Sequence, residues 1–254
     1  MKTLTVKREG TSTEFSYEIV WDGSYERLAG CVENLKLPAK KACIVTDSTV
    51  SELYLVKNVL SPLFETVTAF VFPAGEASKN LDTVKDLYTH LIENHFERKD
   101  ILFALGGGVV GDLTGYAAAT YLRGIDFIQL PTTLLAQVDS SVGGKTGVDF
   151  DQYKNMVGAF HHPRLVYMNM ATLKSLNVEQ FACGMGEVLK TGLIRDEKFY
   201  IWTINHMSEI EERIEPVLTK MIQKCCDIKR QVVENDPTEQ GERAVLNLGH
   251  TIGH

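Results

Sequence analysis

The amino-acid sequence, 254 residues long, predicts an α/β domain over residues 1–170 followed by an all-helical domain over residues 171–254. Two observations support this division. In the first part, short β-rich runs alternate with segments of helical length, which is the pattern of a parallel sheet covered by helices. From about Ala171 onward the strand signals disappear, and apolar residues recur at the spacing of helix faces.

Strand and helix signals follow one another along the first part. The stretch around Glu14–Val20 is expected to add one or two strands near the N-terminus. Further along, Asn80–Phe96 carries apolar residues on one helical face. The central strands are predicted at Lys41–Asp47, Glu65–Pro73, Ile101–Leu105 and Asp126–Leu130.

The clearest helical pattern in the second part is a long stripe of apolar residues at helical spacing. It places Cys225 in the core, with Lys229 and Arg230 near its polar edge. The stripe consists of Ile214, Val217, Leu218, Met221, Ile222, Cys225, Ile228 and Val232.

Composition and charge limit the kinds of molecule that the protein is expected to bind. Lys and Arg number 26 against 33 Asp and Glu, a formal net charge of −7, which disfavours binding along a nucleic acid or another polyanion. A local basic pocket for a small anion is compatible with this balance. The N-terminus has no apolar core of signal-peptide length. The most apolar stretch, Ile101 to Val110, is too short to cross a membrane, so no membrane partner is expected.

The five cysteines fit a reducing compartment. No Cys-x-x-Cys pair occurs, and the adjacent Cys225 and Cys226 are poorly placed to form a disulfide with each other. Reduced cysteines with structural roles are typical of cytosolic proteins. The sequence therefore predicts a cytoplasmic protein.

A glycine-rich stretch follows the third central strand. Residues 106–112, Gly-Gly-Gly-Val-Val-Gly-Asp, satisfy the pattern Gly-x-Gly-x-x-Gly before a predicted helix, and such glycines let backbone N–H groups approach a pyrophosphate. The dinucleotide fingerprint normally belongs to the first strand–helix unit, whereas this one comes later, so a tight structural turn is an equal alternative. For a ribose-binding acid, Asp47 at the end of an earlier strand is a better candidate than Asp126 at a strand start.

A second motif, Ser140–Thr146, ends like the phosphate loop of nucleoside triphosphatases. The position that requires glycine is Asp139, whose carboxylate would repel a triphosphate. The motif therefore excludes a kinase or ATPase and leaves Lys145 as a candidate ligand for a phosphate or another group of the substrate.

Two pairs of polar residues have helical spacing. His250 and His254 are four residues apart, but Thr251 stands where zinc proteases carry Glu, so these histidines are either metal ligands or ordinary polar residues. Glu187 and Lys190 are three residues apart, the spacing of a common helical salt bridge. Together, these motifs indicate a pocket between two domains with a dinucleotide on one side and a metal on the other.

The motifs match one family in order and spacing. From about Asp47 onward the chain resembles the 3-dehydroquinate synthases, which belong to the sugar-phosphate cyclase superfamily. The strings that carry the resemblance are GGGVVGD, YLRG, LPTTLLAQVDSSVGGKTGVD, KNMVGAFHHP, GMGEVLKTG and NLGHTIGH. The resemblance implies a Rossmann-like NAD-binding domain joined to a helical metal-binding domain, and a homodimer.

The resemblance also implies a reaction. Members of the family are carbon–oxygen lyases that convert the sugar phosphate 3-deoxy-D-arabino-heptulosonate 7-phosphate into 3-dehydroquinate and phosphate, in the shikimate pathway of aromatic amino-acid biosynthesis. NAD transiently oxidises a ring hydroxyl, phosphate leaves by β-elimination, the ketone is reduced again, and an intramolecular aldol step closes the carbocycle. A bound Zn²⁺ or Co²⁺ acts as a Lewis acid.

Site residues carry over from the family's motifs position by position. For NAD, the resemblance implies Asp47, Gly75, Glu76, Lys79, Gly108, Val109, Val110, Gly111, Asp112, Thr132, Thr133, Lys145, Lys154 and Thr172. For substrate binding and catalysis it implies Arg123, Asp139, Lys145, Asn155, Lys190, Lys229, Arg243, Asn247 and His254. Arg123 would reach the substrate phosphate across the dimer, and His254 would help to move a proton.

For the metal, the resemblance implies Glu187 and His250 as ligands. Members of the family continue beyond the string GHTIGH and supply another histidine ligand there, so the helical domain is expected to be incomplete and the third ligand to lie beyond His254.

Other functions stay open from the sequence. Another sugar-phosphate cyclase would share the motifs, although Asn155, Lys229, Arg243, Asn247 and His254 favour a substrate that carries a carboxylate. A metal-dependent alcohol dehydrogenase of similar architecture would release NADH, and an inactive NAD-binding module would release no product.

Overall fold

The computed structural model describes residues 1–8, 15–52 and 56–249. Its strands are β1 Lys2–Arg8, β2 Phe15–Asp22, β3 Lys41–Asp47, β4 Thr66–Phe72, β5 Ile101–Gly106, β6 Asp126–Pro131, β7 Lys145–Phe150, β8 Tyr153–Phe160 and β9 Leu165–Asn169. Seven of these strands form one sheet in the order β1-β2-β9-β6-β5-β3-β4, and β7 and β8 form a separate hairpin.

The sheet is parallel except at one edge. β1 pairs antiparallel with β2, whereas β2, β9, β6, β5, β3 and β4 run in one direction. β3 lies between β4 and β5, so the chain reverses its order of strand addition between β3 and β5. In open parallel sheets, a crevice forms at this switch point outside the carboxyl ends of the strands.

The four predicted central strands are confirmed, and each ends within a residue or two of its expected bounds. β5 is buried along its whole length, as expected for a strand covered on both faces. The predicted N-terminal strand corresponds to β2. β9 is equally buried, but the pattern around Pro163 did not predict it, because a short apolar run next to proline lacks strand periodicity.

The helices of the first part are α1 Leu28–Asn34, α2 Ser48–Ser51, α3 Val56–Leu60, α4 Leu81–Glu93 and α5 Gly108–Thr120. The predicted helix over Asn80–Phe96 is α4. Its N-cap residue Asn80 accepts a hydrogen bond from the backbone N–H of Thr83 at 2.9 Å, which satisfies one of the open donors of the first turn.

The β7–β8 hairpin packs against α5. Gly115 in α5 has no side chain, and a Cβ there would lie 2.4 Å from Cγ2 of Thr146 in β7. The sequence did not predict this hairpin, since its glycines and polar residues resemble a phosphate loop. No element was predicted over residues 147–160, and the structure forms two paired strands there, of which β7 begins at Lys145.

Every element described after Asn169 is helical, as predicted. A short 3₁₀ turn over Met170–Lys174 precedes α6 Val178–Arg195, α7 Glu197–Asn205, α8 Met207–Glu211 and α9 Glu215–Asn235, and a second 3₁₀ turn covers Glu242–Asn247. One core joins these helices to the sheet, because Val6, Tyr17 and Trp21 pack in the same cluster as Met221 and Cys225 of α9.

One prediction for α9 is wrong. The apolar stripe is buried from Leu218 to Val232, including Cys225, whereas Ile214 at its start is exposed and Val217 is half-buried; Lys229 is also buried, with 8% of its surface exposed. Helix periodicity places this lysine near the polar edge, whereas a carboxylate on the opposite wall of a cleft draws it inward. None of the helices in the described part of the chain combines the length and the apolar character needed to span a membrane.

Candidate active site

A cleft of about 1150 Å³ opens at the carboxyl end of the sheet and extends to the helical part. One wall comes from the loops after β3, β4, β5 and β6, and the opposite wall from the start of β7, from α6 and α9 and from the turn over Glu242–Asn247. Most of the residues predicted for the site line it: Asp47, Gly75, Glu76, Lys79, Gly108, Val109, Asp112, Thr132, Thr133, Asp139, Lys145, Lys154, Asn155, Thr172, Glu187, Lys229, Arg243 and Asn247.

The glycine-rich turn lies at the switch point, where β5 ends and α5 begins. A Cβ on Gly107 would lie 3.0 Å from Thr133, and one on Gly108 would lie 3.2 Å from Oγ of Ser140. Glycine therefore keeps the backbone open toward the cleft. The first N–H groups of a helix have no acceptor inside the helix and attract anions, so this turn has the geometry of a pyrophosphate site.

Two residues of the predicted cofactor motif do not line the cleft. The side chain of Val110 is fully buried in the core between the sheet and α5. Gly111 packs against Gln129, and its N–H donates to the carbonyl of Gly107 at 3.0 Å. Gly111 thus allows α5 to pack closely on the sheet. Val110 contributes only its backbone to the first turn of α5.

Asp47 ends β3 beside this turn and caps a helix. Its Oδ1 accepts the N–H groups of Thr49 and Val50, each at 2.9 Å, and so begins the short helix α2. The carboxylate caps α2 and also lines the cleft, so the expected contact with a ribose is compatible with its position.

Lys79 is buried and lies at the centre of a polar cluster. Its Nζ lies 2.7 Å from Oδ2 of Asp112 and donates to Oδ1 of Asn155 at 2.6 Å. Burial opposes the charge of Lys79, but the Asp112 carboxylate raises the pKa of this lysine above its ordinary value. Burial also raises the pKa of Asp112. The cluster ties α5 to the hairpin and holds Asn155, predicted as a substrate ligand, toward Lys79.

Buried Lys229 and half-buried Asp139 form a second ion pair across the cleft. Nζ of Lys229 lies 2.5 Å from Oδ1 of Asp139 and donates to its carbonyl at 2.7 Å. Asp139 belongs to a π-helical turn over Ala136–Ser140. Burial lowers the pKa of Lys229, and the nearby Arg243 adds to this effect, whereas Asp139 opposes it.

Glu187 and Lys190 on α6 form the salt bridge that their spacing indicates, at 2.5 Å. Lys190 also donates to the carbonyl of Leu246 at 2.7 Å. Among the described residues, no three His, Cys, Asp or Glu side chains are grouped so as to hold a metal. Of the predicted metal ligands the structure describes Glu187, while His250 lies outside the described residues, as does His254.

Glu239 is a cleft residue that the sequence did not predict. Its carboxylate forms an ion pair with Lys145 and accepts a hydrogen bond from Nδ2 of Asn247 at 2.5 Å. Lys145 and Asn247 are both predicted substrate ligands, so one acid joins them in this structure. Glu239 is one of several acids in the segment before Arg243 and belongs to no motif, so only the folded chain shows this contact.

The two arginines predicted for the site lie in different places, because Arg243 lines the cleft and Arg123 does not. Arg243 has 1% of its surface exposed, and its guanidinium donates to the carbonyls of Pro237 at 2.6 Å and Gly143 at 3.0 Å. Arg123 does not line the cleft of its own chain. It lies in a tight turn after α5 with a φ of 71°.

The fold and the cleft define a sugar-phosphate cyclase architecture. The structure superposes with a TM-score of 0.84 and 26% identity on 2-epi-5-epi-valiolone synthase from Streptomyces hygroscopicus subsp. jinggangensis 5008, solved with NAD⁺ and Zn²⁺, over 96% of this chain and 68% of that one. It superposes with a TM-score of 0.81 and 26% identity on 2-deoxy-scyllo-inosose synthase, complexed with carbaglucose-6-phosphate, NAD⁺ and Co²⁺, over 100% of this chain and 68% of that one.

The chain belongs to the 3-dehydroquinate synthase family. Residues 69–183 match the family's N-terminal model and residues 184–254 its C-terminal model. The 3-dehydroquinate synthase of Acetivibrio thermocellus is 48% identical over 241 residues, 94% of this chain and 67% of the relative. That of Nitrosomonas europaea is 49% identical over 220 residues, 86% of this chain and 60% of the relative. The chain thus spans 60–67% of the length of these two curated relatives.

An iron-containing alcohol dehydrogenase shares the fold alone, with a TM-score of 0.64 at 15% identity over 86% of this chain and 67% of that one.

Proposed function

We propose that the protein is a 3-dehydroquinate synthase, which converts 3-deoxy-D-arabino-heptulosonate 7-phosphate into 3-dehydroquinate and phosphate. The observation that carries the proposal is one cleft with two unlike walls. A glycine-lined helix N-terminus forms one wall, and Lys145, Lys229 and Arg243 lie on the other. A dinucleotide suits the first wall, and an anionic substrate suits the second.

NAD fits the residues of the first wall. The positions where a Cβ would enter the turn are glycines, and Asp47 lies where a ribose would follow the pyrophosphate. When bound, NAD supplies reversible oxidation of one substrate hydroxyl. The chain's own contribution is to orient: Asp47 accepts hydrogen bonds from hydroxyls, the first turn of α5 donates to phosphate oxygens, and Lys79 keeps Asp112 and Asn155 in place.

For the metal, Glu187 is the ligand candidate inside the described residues, and its carboxylate is held by Lys190. A divalent Zn²⁺ or Co²⁺ at this position would act as a Lewis acid on a substrate hydroxyl. One carboxylate alone does not define such a site, so the steps proposed here use only the chain's own residues.

On the second wall, cations meet the two acidic groups of the substrate. Lys145, Lys190 and Arg243 would neutralise its phosphate and carboxylate, while Asn247 donates to a hydroxyl or carboxylate oxygen. Lys229 is held by Asp139 at 2.5 Å, and its buried ammonium stabilises negative charge that develops on the substrate. His254 is proposed to move a proton, as the family resemblance implies.

The proposal includes an assembly and a place in the cell. We assign residues 1–170 to NAD binding and residues 171–254 to metal and substrate binding, because β9 ends at Asn169 and only helices are described after it. Homodimer formation would bring Arg123 to the substrate phosphate of the partner subunit. A reducing cytoplasm is supported by five cysteines that are all free.

The reaction is tested by measuring phosphate and NADH together with limiting NAD. A synthase releases many phosphates per NAD without accumulation of NADH. Stoichiometric NADH would instead identify an alcohol dehydrogenase, and NAD binding without phosphate release would identify an inactive NAD-binding module. Either result contradicts the proposal.

A matched pair of variants tests the second wall. Lys145→Met removes a cation that pairs with Glu239, and phosphate release should fall by roughly 100-fold or more while NAD affinity stays close to its original value. Lys40→Met removes an exposed lysine that pairs with Glu65 at 3.1 Å outside the cleft, and it should leave both unchanged. Strong loss of NAD affinity in Lys145→Met with normal turnover would refute the assignment.

A further inference from the structure

Tyr17 is a buried polar side chain that the proposed function does not use. It lies in β2, far along the chain from every motif described above, and 3% of its surface is exposed. Its hydroxyl oxygen accepts the backbone N–H of Gly143 at 3.0 Å. A tyrosine that served packing alone would not need this hydroxyl, and a buried hydroxyl is costly unless it is hydrogen-bonded.

The residue that Tyr17 holds belongs to a turn that requires glycine. Gly143 and Gly144 have φ values of 106° and 67°, a region of backbone space that favours glycine. A Cβ on Gly143 would lie 2.5 Å from Nη2 of Arg243. The turn leads directly into β7, whose first residue is Lys145. The direction in which Lys145 enters the cleft therefore depends on how this turn is fixed.

Gly143 is fixed from two sides. Its N–H donates to Tyr17, and its carbonyl accepts Nη2 of Arg243 at 3.0 Å. Because Arg243 is nearly inaccessible and is also bound to the carbonyl of Pro237, it cannot shift without moving the turn. The two bonds form a clamp that joins β2, the turn and the segment after α9.

The adjacent glycine is supported from the same strand. The ring of His162 occupies the space where a Cβ of Gly144 would lie, with Nδ1 at 2.6 Å from that position. Phe15, two residues before Tyr17 and on the same face of β2, stacks on His162 with ring centroids 3.8 Å apart. β2 thus supports both glycines of the turn, one through a hydrogen bond and one through stacking.

We propose that Tyr17 is a positioning residue for Lys145, since its hydroxyl fixes the Gly143–Gly144 turn from which Lys145 reaches the anionic substrate. This inference rests on the proposed function for the identity of the anion. Loss of the hydroxyl leaves the N–H of Gly143 without its acceptor, and the turn then samples other conformations. Lys145 is displaced as a result, although it has no contact with Tyr17.

The test compares Tyr17→Phe with a matched control in the NAD-loaded protein. Tyr121 is also buried, and its hydroxyl donates to the carbonyl of Phe96 at 3.0 Å, away from the cleft. Hydrogen–deuterium exchange at the amide of Gly143 should become faster in Tyr17→Phe and stay unchanged in Tyr121→Phe. Unchanged exchange at Gly143 in both variants would overturn the proposed link.

A binding measurement then connects the turn to Lys145. The Kd for inorganic phosphate, measured by calorimetry, should rise by roughly tenfold in Tyr17→Phe, a factor equivalent to ~1.4 kcal/mol. In the Lys145→Met background the same substitution should have no further effect. An equal effect in both backgrounds would show that Tyr17 acts on the fold in general and would overturn the inference.

The two proposals fail separately. Exchange and phosphate affinity do not require turnover, so a chain that releases no phosphate refutes the proposed reaction and leaves the positioning test valid. Conversely, normal phosphate release in the original protein together with unchanged exchange and phosphate affinity in Tyr17→Phe overturns only the role of Tyr17. As a kinetic signature, Tyr17→Phe should raise KM for the sugar phosphate more than it lowers kcat.

Discussion

Lys229 shows how a single residue can oppose the pattern of its helix. Its position in α9 indicates the polar edge of the apolar stripe, yet its ammonium is buried and paired with Asp139 at 2.5 Å. Removing only one partner of such a pair leaves an uncompensated charge, which is far more costly than the pair itself. Either single substitution is therefore expected to disturb the local structure as well as the chemistry.

His162 makes a prediction about acid stability. Burial, together with Arg243 and His161, lowers the pKa of His162 to about 4, whereas an unfolded histidine titrates near ~6.5. Between these values the unfolded chain binds a proton that the folded chain does not, so the free energy of unfolding decreases as the pH falls through this window. The contribution is at most ~3.4 kcal/mol.

The measurement is urea unfolding at pH 7, 5.5 and 4.5. We expect His162→Gln to lose less stability than the original protein on acidification. His95→Asn serves as the control, since this exposed histidine has a positive φ that asparagine tolerates. Equal acid sensitivity of the original protein and His162→Gln would contradict the prediction.

The residues that the sequence identified belong to contiguous strings, and those that it missed do not. Lys145 stands in such a string and Asp47 ends a predicted strand, whereas Lys229 was assigned only through the family resemblance. Glu239 and Tyr17 could not be assigned, because their partners are distant in the chain and no local spacing relates them. Such contacts depend on how elements meet, which single-sequence patterns do not encode.

At the scale of elements, Asp47 belongs to both α2 and the cleft, and this dual position gives a second prediction. Asp47→Ala should lower stability by about 1 kcal/mol through loss of the cap and weaken NAD binding by ~1–3 kcal/mol. Asp47→Ser keeps an oxygen that can cap α2, so stability should recover while NAD affinity stays reduced. Thermal melting with and without NAD separates the two effects. Unchanged NAD affinity in Asp47→Ala would make Asp47 a cap alone.

The contact between α5 and the hairpin gives a third prediction. Gly115→Ala places a methyl group 2.4 Å from Cγ2 of Thr146, so the hairpin must move outward with Lys145. We expect a loss of stability of ~1–3 kcal/mol and weaker binding of inorganic phosphate, measured by denaturation and calorimetry.

The control for Gly115 is a glycine with free space around it. Nothing lies within 4 Å of a Cβ built on Gly30 in α1, and its backbone is helical. Gly30→Ala should raise stability by ~0.5–1 kcal/mol, because alanine restricts the unfolded chain and favours helix. If Gly30→Ala and Gly115→Ala change stability by the same amount, the close contact at Gly115 does not determine the effect of the substitution.

Elements with strong periodicity could be predicted, and elements defined by tertiary pairing could not. The helix α4 and the strand β3 carry their own patterns, and β3 has the predicted bounds. The hairpin depends on Gly147 and Gly158 facing each other, where a Cβ on Gly158 would lie 2.5 Å from the carbonyl oxygen of Thr146. Its glycines weaken the strand signal, so the local sequence resembles a loop.

For the whole molecule, the shared core connects the two parts of the chain. Trp21 of β2 and Phe181 of α6 are buried in the same cluster as Met221 of α9. Among the described residues, the helices and the sheet therefore share this hydrophobic core. We expect the sheet and the helices to unfold together rather than as two independent units.

The two tryptophans allow a direct test of this fourth prediction. Trp21 reports on the sheet and Trp202 on the helical part, so each single-tryptophan variant, Trp202→Phe and Trp21→Phe, monitors one part by fluorescence. Their urea unfolding curves should have coincident midpoints once each variant's own stability, measured by circular dichroism, is taken into account. Separate transitions would indicate two domains that fold independently.

The two edge strands of the sheet differ in charge, and therefore in their tendency to pair with another chain. β1 carries Lys2, Lys7 and Arg8 on the edge strand beside β2, and charged residues on an edge strand oppose pairing with a second copy. β4, at the other edge, has the uncharged sequence TVTAFVF, which is rich in β-branched and aromatic residues. Aggregation of partly unfolded chains should therefore begin at β4, and a lysine substituted for the exposed Val71 should slow it, as measured by light scattering during heating.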